Sequence, residues 1–187
     1  MMRHIPNALC VFRMLLVAPV AWLLSLGLYW ETLWVFALAA VTDGLDGFLA
    51  KRFGWTSELG KILDPLADKI LLVSTFIALA LLGLVPVWLA ATAVLRDFTI
   101  TAGAIAYNAW YGYPNGRPTW ISKFNTLCQV AYLLLVVAVQ AFERNLDSVL
   151  TALGALVFVT TVVSGLDYVI TYTRKAVTVS RERRGIA

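Results

Sequence analysis

Long apolar stretches constrain the fold of this chain more than any other feature of its sequence. We identify six that approach or exceed about 20 residues, the length a helix needs to cross a hydrocarbon core of about 30 Å. A backbone exposed to lipid must satisfy its own hydrogen bonds, so each stretch is predicted to be helical. The predicted fold is an all-α integral membrane protein with six transmembrane helices in one domain, residues 1–187. The predicted helices are 8–29, 32–51, 58–83, 87–110, 121–142 and 149–173.

Composition separates this chain from ordinary soluble proteins. Apolar residues make up 60% of it and charged residues 14%, and its mean hydropathy is +0.80. Soluble domains carry about 25% charged residues and about 45–50% apolar ones. The alternative, an unusually apolar soluble helical protein, would have to hide more apolar surface than a core of this size can hold.

Basic residues are distributed unequally between the two sets of loops. One set, which includes both termini, carries eleven lysines and arginines, and the other set carries Arg144. The positive-inside rule therefore places both termini in the cytoplasm. The net charge of +4 fits contact with anionic lipid head groups, and no soluble module for nucleic-acid binding is expected. The basic residues on the predicted cytoplasmic side are Arg3, Lys51, Arg52, Lys61, Arg117, Lys123, Arg174, Lys175, Arg181, Arg183 and Arg184.

Four aspartates lie where a membrane helix should be apolar. Asp43 and Asp46 are three residues apart, and Asp64 and Asp68 are four apart, so each pair shares one helical face. Acids inside a membrane span are costly and mark functional sites. At about 1.5 Å per residue, all four lie roughly 9–15 Å from the cytoplasmic ends of two antiparallel helices. The four carboxylates are therefore predicted to meet in one cleft that opens to the cytoplasm.

The chemistry of these residues predicts oxygen-bound divalent cations. Four converging carboxylates repel one another unless cations neutralise them. His4 is the single histidine, and Cys10 and Cys128 have no metal-binding partner near them in sequence. Mg²⁺ or Mn²⁺ fits such a set, and two such ions would clamp a diphosphate.

The two acidic segments resemble the signature of the CDP-alcohol phosphotransferase family, D-x2-D-G-x2-A-R-x8-G-x3-D-x3-D. One position departs from the pattern: the family arginine is Lys51 here, followed by Arg52. Lysine keeps the charge and loses the planar fork of arginine, and Arg52 is rotated by about 100° around the helix, so the basic role stays open between the two. The matching residues are Asp43, Asp46, Gly47, Ala50, Gly60, Asp64 and Asp68.

The resemblance implies a six-helix membrane enzyme, a homodimer with two divalent ions. It would transfer a phosphatidyl group from CDP-diacylglycerol to an alcohol and release CMP. The setting that it implies is phospholipid synthesis in a bacterial inner membrane, with the site facing the cytoplasm. The implied metal ligands are Asp43, Asp46, Asp64 and Asp68, with Asp68 also the general base, and the implied donor-binding residues are Gly47, Ala50, Lys51 and Gly60.

Three further segments resemble particular members of the family. The opening 5–7 with Arg13 is similar to members that make glycerophospholipids, and the Arg96-Asp97 pair and segment 121–126 resemble the cardiolipin-forming branch. This resemblance favours phosphatidylglycerol as acceptor and cardiolipin as product. The alternative acceptor is glycerol 3-phosphate, which would give phosphatidylglycerophosphate. The candidate acceptor-binding residues are Arg96, Arg117, Lys123 and Asn125.

Rival interpretations exist for the whole chain and for single residues. A cation transporter would also use intramembrane acids, but it needs a route across the membrane, whereas these acids cluster towards one face. A prenyltransferase would need more spans and a different acid spacing. Arg96 and Asp97 are interpreted either as a structural ion pair or as part of a substrate path, and Lys123 either as reaching the head groups or as binding the acceptor phosphate.

Overall fold

A computed structural model describes the backbone of residues 5–53, 58–111 and 119–183. Side chains are described for 8–42, 66–103, 119–171 and 173. These parts of the chain form seven helices and no strands, which agrees with the all-α prediction. The helices are α1 (Ile5–Leu15), α2 (Val17–Ser25), α3 (Tyr29–Phe53), α4 (Glu58–Leu81), α5 (Val87–Tyr111), α6 (Trp120–Ala141) and α7 (Asp147–Arg183).

The first predicted span is divided into α1 and α2 at Leu16. The hydrogen bonds continue across the division, because Leu16 N donates to Phe12 O at 3.1 Å and Val20 N donates to Leu16 O at 3.1 Å. Pro19 lacks the N–H that would reach the Leu15 carbonyl, which accounts for the local interruption. The two helices share one buried stripe at spacings of three and four residues, formed by Cys10, Arg13, Leu16, Val20 and Leu24.

Three helix ends share one C-terminal motif. After α2, Gly27 N donates to Leu24 O at 3.0 Å and Leu28 N donates to Leu23 O at 3.0 Å. This pair of bonds requires a left-handed backbone at the residue after the cap, and φ there is 72°. Gly83 takes the same position after α4 with φ of 73°.

Glu143 occupies the equivalent position after α6 with φ of 49°. A glutamate in this left-handed conformation brings its Cβ close to backbone oxygen, a contact that glycine avoids.

At the C-terminal end, α7 extends to Arg183, ten residues past the predicted end at 173. Neither glycine nor proline occurs between Gly165 and Gly185, so nothing in the local sequence interrupts the helix where its apolar character fades.

The chain divides into two compact units. The first combines Met1–Ala90 with Leu133–Leu150, and the second combines Ala91–Tyr132 with Thr151–Ala187. In the first unit, α1 and α2 both pack against α3 and α4. In the second unit, a Cβ added at Gly103 would lie 3.0 Å from Tyr168 Cε1, so α5 and α7 approach closely because residue 103 has no side chain.

Among the described residues, three segments are long and apolar enough to cross a membrane: Ala8–Ser25, Trp120–Ala141 and Asp147–Thr171. The other long helices, α3, α4 and α5, carry charged residues in their apolar sequence: Asp43 and Asp46 in α3, Asp64 and Asp68 in α4, and Arg96 and Asp97 in α5. Large apolar side chains are nevertheless exposed on α3, α4 and α5 as well. They include Trp34, Leu38, Ile77, Leu81, Leu95 and Phe98.

The shared helix-end motif predicts opposite effects for two matched substitutions. Gly83→Ala places a Cβ in a left-handed backbone and should lower the free energy of unfolding by about 1 kcal/mol. Glu143→Gly removes the same strain and should raise the free energy of unfolding by up to about 1 kcal/mol. Thermal unfolding of both variants in detergent, followed by circular dichroism, measures the two shifts. Shifts of the same sign would contradict this account of the two helix ends.

Candidate functional site: the acidic helices and a buried polar layer

The four aspartates lie on two helices that are packed against the same partners. Asp43 and Asp46 are in the second half of α3, one turn after the buried residues Ala39 and Thr42. Asp64 and Asp68 are in the first half of α4. The helical backbone at all four positions is as predicted. Side chains are described for Asp68 alone of the metal and donor candidates; those of Asp43, Asp46, Gly47, Ala50, Lys51, Gly60 and Asp64 lie outside the described residues.

Asp68 forms an ion pair with an arginine 55 residues earlier in the chain. Nη1 of Arg13 on α1 donates to Oδ1 of Asp68 on α4. The Arg13 side chain is 1% exposed and the Asp68 side chain is 53% exposed. The guanidinium therefore holds the carboxylate from inside the helical packing while much of the carboxylate side chain stays accessible.

Arg13 occupies a core position of its helix. It belongs to the same buried stripe as Cys10, Leu16 and Val20, which faces α3 and α4. Burying a charge is unfavourable by several kcal/mol unless the charge is paired. The contact with Asp68 provides that pairing, so the sequence of α1 places a cation beside the acidic helices at an otherwise apolar position.

The chemistry of the four acids fits divalent cations. All four donors are carboxylate oxygens, which Mg²⁺ and Mn²⁺ prefer. Asp68 has the exposure that a ligand atom needs. Among residues with described side chains no group of three metal-ligating side chains occurs, and three of the four candidate ligands lie outside that set.

A second polar cluster, which we call the buried polar layer, lies in the second unit between α5, α6 and α7. Arg96 Nη1 donates to Asp97 Oδ1 at 2.6 Å, and both side chains are buried. Arg96 Nη2 donates to Ser122 Oγ on α6 at 2.8 Å and also to Ser164 Oγ on α7. Of the two interpretations of Arg96 and Asp97, the structural ion pair is therefore present. The ion pair joins two adjacent residues of α5, and Arg96 also donates hydrogen bonds to α6 and α7.

Asn125 continues this layer towards α7. It is 0% exposed, and its Oδ1 accepts hydrogen bonds from Thr160 Oγ1 at 2.8 Å and Thr161 Oγ1 at 2.9 Å. Thr161 also accepts a 3.4 Å bond from Gln129 Nε2. Asn125 Nδ2 and Gln129 Oε1 are buried without a hydrogen-bond partner among the described residues.

The remaining acceptor candidates are placed differently. Lys123 is exposed, and its Nζ lies 5.5 Å from the centroid of the Trp120 ring, a cation–π contact. Trp120 is itself 86% exposed, as expected for an aromatic anchor at a membrane interface. Arg117 lies outside the described residues.

Two features of this arrangement were not predicted from the sequence. Arg13 was assigned no role beyond its family segment, although a charge inside an apolar run was itself a signal. The hydroxyl residues of α7 that bind the α5 and α6 side chains were also assigned no role. Their signal was weak, because serines and threonines in membrane helices often bond only to their own backbone.

Comparison with known proteins decides the family. The sequence profile described as CDP-alcohol phosphatidyltransferase matches residues 3–166, most of the chain. The chain belongs to the CDP-alcohol phosphatidyltransferase family. This confirms the resemblance found in the acidic motif, and the matched region contains both acidic helices and the buried polar layer.

Relatives of this chain carry different names. The chain is 33% identical over 194 aligned positions to human cardiolipin synthase (CMP-forming), covering 95% of this chain and 64% of the relative. It is 30% identical over 187 positions to a chloroplastic CDP-diacylglycerol–glycerol-3-phosphate 3-phosphatidyltransferase of Oryza sativa subsp. japonica, covering 90% of this chain and 57% of the relative. A probable phosphatidylglycerophosphate synthase of Mycobacterium tuberculosis is 32% identical over 135 positions, covering 72% and 62%.

The chain spans roughly three fifths of the length of these relatives, since the aligned share of each is 57%, 64% and 62%.

The buried Arg96–Asp97 pair predicts a strong dependence of stability on Asp97. Asp97→Ala leaves the Arg96 charge buried without its carboxylate, which should lower the free energy of unfolding by about 3–5 kcal/mol. Asp97→Asn should have a smaller effect, because its amide oxygen still accepts from Arg96. Thermal unfolding in detergent measures both.

Thr99→Val is the matched control on the same helix. Thr99 is exposed and donates to Leu95 O at 2.7 Å within α5, so its replacement should change stability by less than about 0.5 kcal/mol. An Asp97→Ala variant as stable as Thr99→Val would contradict the assigned importance of the pair.

Proposed function

We propose that this protein transfers the phosphatidyl group of CDP-diacylglycerol to the hydroxyl of an alcohol and releases CMP. The observation that carries the proposal is the family's acidic motif on α3 and α4, with its last member, Asp68, accessible and held by a buried arginine. Membership of the family supports the reaction class. Relatives are named for the synthesis of cardiolipin and of phosphatidylglycerophosphate.

In this proposal all four aspartates bind metal ions, and one of them also acts as the general base. Asp43, Asp46, Asp64 and Asp68 hold two divalent ions, Mg²⁺ or Mn²⁺, which would neutralise the diphosphate and stabilise charge on the attacking and leaving oxygens. Asp68 also takes the proton of the acceptor hydroxyl. The acceptor oxygen forms a bond to the phosphorus of the phosphatidyl group, and the bond from that phosphorus to the bridging oxygen breaks. The bridging oxygen departs with CMP.

The donor is assigned to small and basic positions next to the acids. Gly47, Ala50 and Gly60 would let the cytidine diphosphate approach the helix backbones closely. Lys51 would contact its phosphates, with Arg52 as the alternative basic residue. These assignments follow the family motif position by position.

We favour phosphatidylglycerol as the acceptor, giving cardiolipin. Glycerol 3-phosphate carries a phosphate monoester of charge about −1.5 to −2 and needs several uncompensated cations. Phosphatidylglycerol carries a single phosphodiester charge. Of the two basic acceptor candidates with described side chains, Arg96 is compensated by Asp97, which leaves the exposed Lys123 to meet an anionic acceptor. This low net positive charge supports the monoanionic lipid.

Asn125 supports the same choice from a buried position. Its side chain is a neutral amide bonded to Thr160 and Thr161, so this buried position adds no positive charge for a dianionic acceptor. Glycerol 3-phosphate remains the second candidate acceptor, because relatives named for that reaction match the chain at comparable identity.

The proposed setting is a bacterial inner membrane with six spans, both termini and the acidic site on the cytoplasmic side, and a homodimeric assembly. Exposed Leu81, Leu95 and Phe98 support membrane contact by α4 and α5 as well as by the three most apolar segments. The whole chain is proposed to act as one domain.

The reaction class predicts metal-dependent release of CMP. Protein purified in mixed micelles containing CDP-diacylglycerol and phosphatidylglycerol should release CMP. EDTA should abolish that release, and excess Mg²⁺ or Mn²⁺ should restore it. Full activity in EDTA would remove the metals from the proposal. Cation uptake by reconstituted vesicles without any CMP release would favour the transporter interpretation instead.

The acceptor assignment predicts the product. With labelled CDP-diacylglycerol and both acceptors present, cardiolipin should be the main labelled product. Lys123→Gln should raise the KM for phosphatidylglycerol with the KM for CDP-diacylglycerol unchanged, because it removes one exposed charge, and Lys123→Arg should retain the wild-type value. If phosphatidylglycerophosphate forms and cardiolipin does not, the second candidate acceptor is correct and the reaction class stands.

A further inference from the structure

Arg13 is the charged member of the buried stripe that α1 and α2 turn towards α3 and α4. We propose that Arg13 is a positioning residue for the proposed transfer reaction, and that it fixes the Asp68 carboxylate in the orientation needed to receive the acceptor proton. The inference rests on the proposed function, in which Asp68 is the base. It adds a residue from outside the acidic motif to the reaction.

The two ends of the ion pair have opposite exposures, and this asymmetry suits a positioning role. Arg13 is 1% exposed, so its stem and guanidinium are held by the packing of α1 against α3 and α4. Asp68 is 53% exposed, so a substrate can reach it. An immobile donor on one carboxylate oxygen restricts rotation of the aspartate side chain about its own bonds. The carboxylate then meets the acceptor in a defined orientation.

A purely structural role explains this arrangement less well. A structural ion pair usually gains from burial of both partners or occurs between two exposed surface groups of little energetic weight. Here a buried cation at a core position contacts an acid whose side chain is 53% exposed. An apolar residue in the stripe would avoid the desolvation of the guanidinium altogether.

Charge adds a second reason for an arginine at this position. The motif places Asp64 one turn before Asp68 on the same helix. Arg13 supplies a permanent positive charge on the Asp68 side of this acidic helix, whatever cations are bound there. Its fixed guanidinium geometry also directs its N–H groups more strictly than an ammonium would.

Steady-state kinetics of two substitutions test the inference in the full-length protein. Arg13→Met keeps an unbranched side chain and removes the charge, and kcat should fall by about 10²-fold, the scale of a misaligned reacting group. The KM for CDP-diacylglycerol should change by less than about threefold, because the interaction acts on the proton transfer rather than on donor binding. Arg13→Lys keeps the positive charge and should have a kcat between those of Arg13→Met and the wild type.

Thr75→Val is the matched control. Thr75 lies on the same helix as Asp68, is buried, and donates to Leu71 O at 2.8 Å within α4. The valine is nearly isosteric and removes a buried polar contact without touching Asp68. Wild-type kcat in this variant, with reduced kcat in Arg13→Met at similar thermal stability, separates positioning from a general loss of packing.

A double-mutant cycle with Asp68→Asn decides whether Arg13 acts through Asp68. Asp68→Asn alone should lower kcat by about 10²–10⁴-fold. If Arg13 acts through this carboxylate, adding Arg13→Met or Arg13→Lys to Asp68→Asn should cause little further loss. The lysine variant keeps the buried charge, so the cycle can be completed with it even if Arg13→Met does not fold.

Two results would overturn the inference: an Arg13→Met enzyme with kcat within about threefold of wild type, or Arg13 losses that multiply with the Asp68→Asn loss. Failure of the proposed function has a different signature. Wild-type protein that releases no CMP would refute the reaction class, and a fully active Asp68→Asn would refute the base. A dead Asp68→Asn beside a fully active Arg13→Met refutes the Arg13 inference alone.

Discussion

The contact between Arg13 and Asp68 connects the apolar packing of the first unit to its acidic motif. Charged groups within apolar helices are unfavourable unless they are paired, and here the pair spans two helices that are far apart in sequence. The buried stripe of α1 and α2 fixes the arginine, and the arginine holds the carboxylate. The orientation of Asp68 therefore depends on how α1 packs, even though the motif itself belongs to α3 and α4.

The second unit also contains charged residues within apolar helices, and there the charges are paired within one helix. Arg96 and Asp97 neutralise each other as neighbours on α5, and the spare donors of the guanidinium go to hydroxyls on α6 and α7. Asn125 extends this layer through two threonine hydroxyls. Three apolar helices are thus held in one register by polar contacts, which are directional where apolar packing is not.

These two polar arrangements bear on the different names found among the relatives. The acidic motif is proposed to act on the CDP-linked donor, so the acceptor is expected to be distinguished elsewhere in the chain. The compensation of Arg96 and the neutrality of Asn125 leave few free positive charges in the described part of the second unit, which is why we favour an acceptor with one negative charge.

The sequence by itself determined the all-α class, the acidic helices and the family. Helical periodicity and motif spacing are local properties, so the positions of Asp43, Asp46, Asp64 and Asp68 on helices could be predicted without a structure. The metal and donor roles stay predictions, since Asp68 alone among the residues assigned to them has a described side chain.

Packing alone decided which distant residues meet. The sequence places Arg13 in an apolar run and Asn125 in a motif that resembles one branch of the family, but it gives neither the partner nor the burial of either residue. Asp68 is 55 residues from Arg13, and Thr160 is 35 residues from Asn125. Such pairings depend on how helices approach and rotate against one another, which is set by the complementary shapes of whole helix surfaces and not by any local pattern.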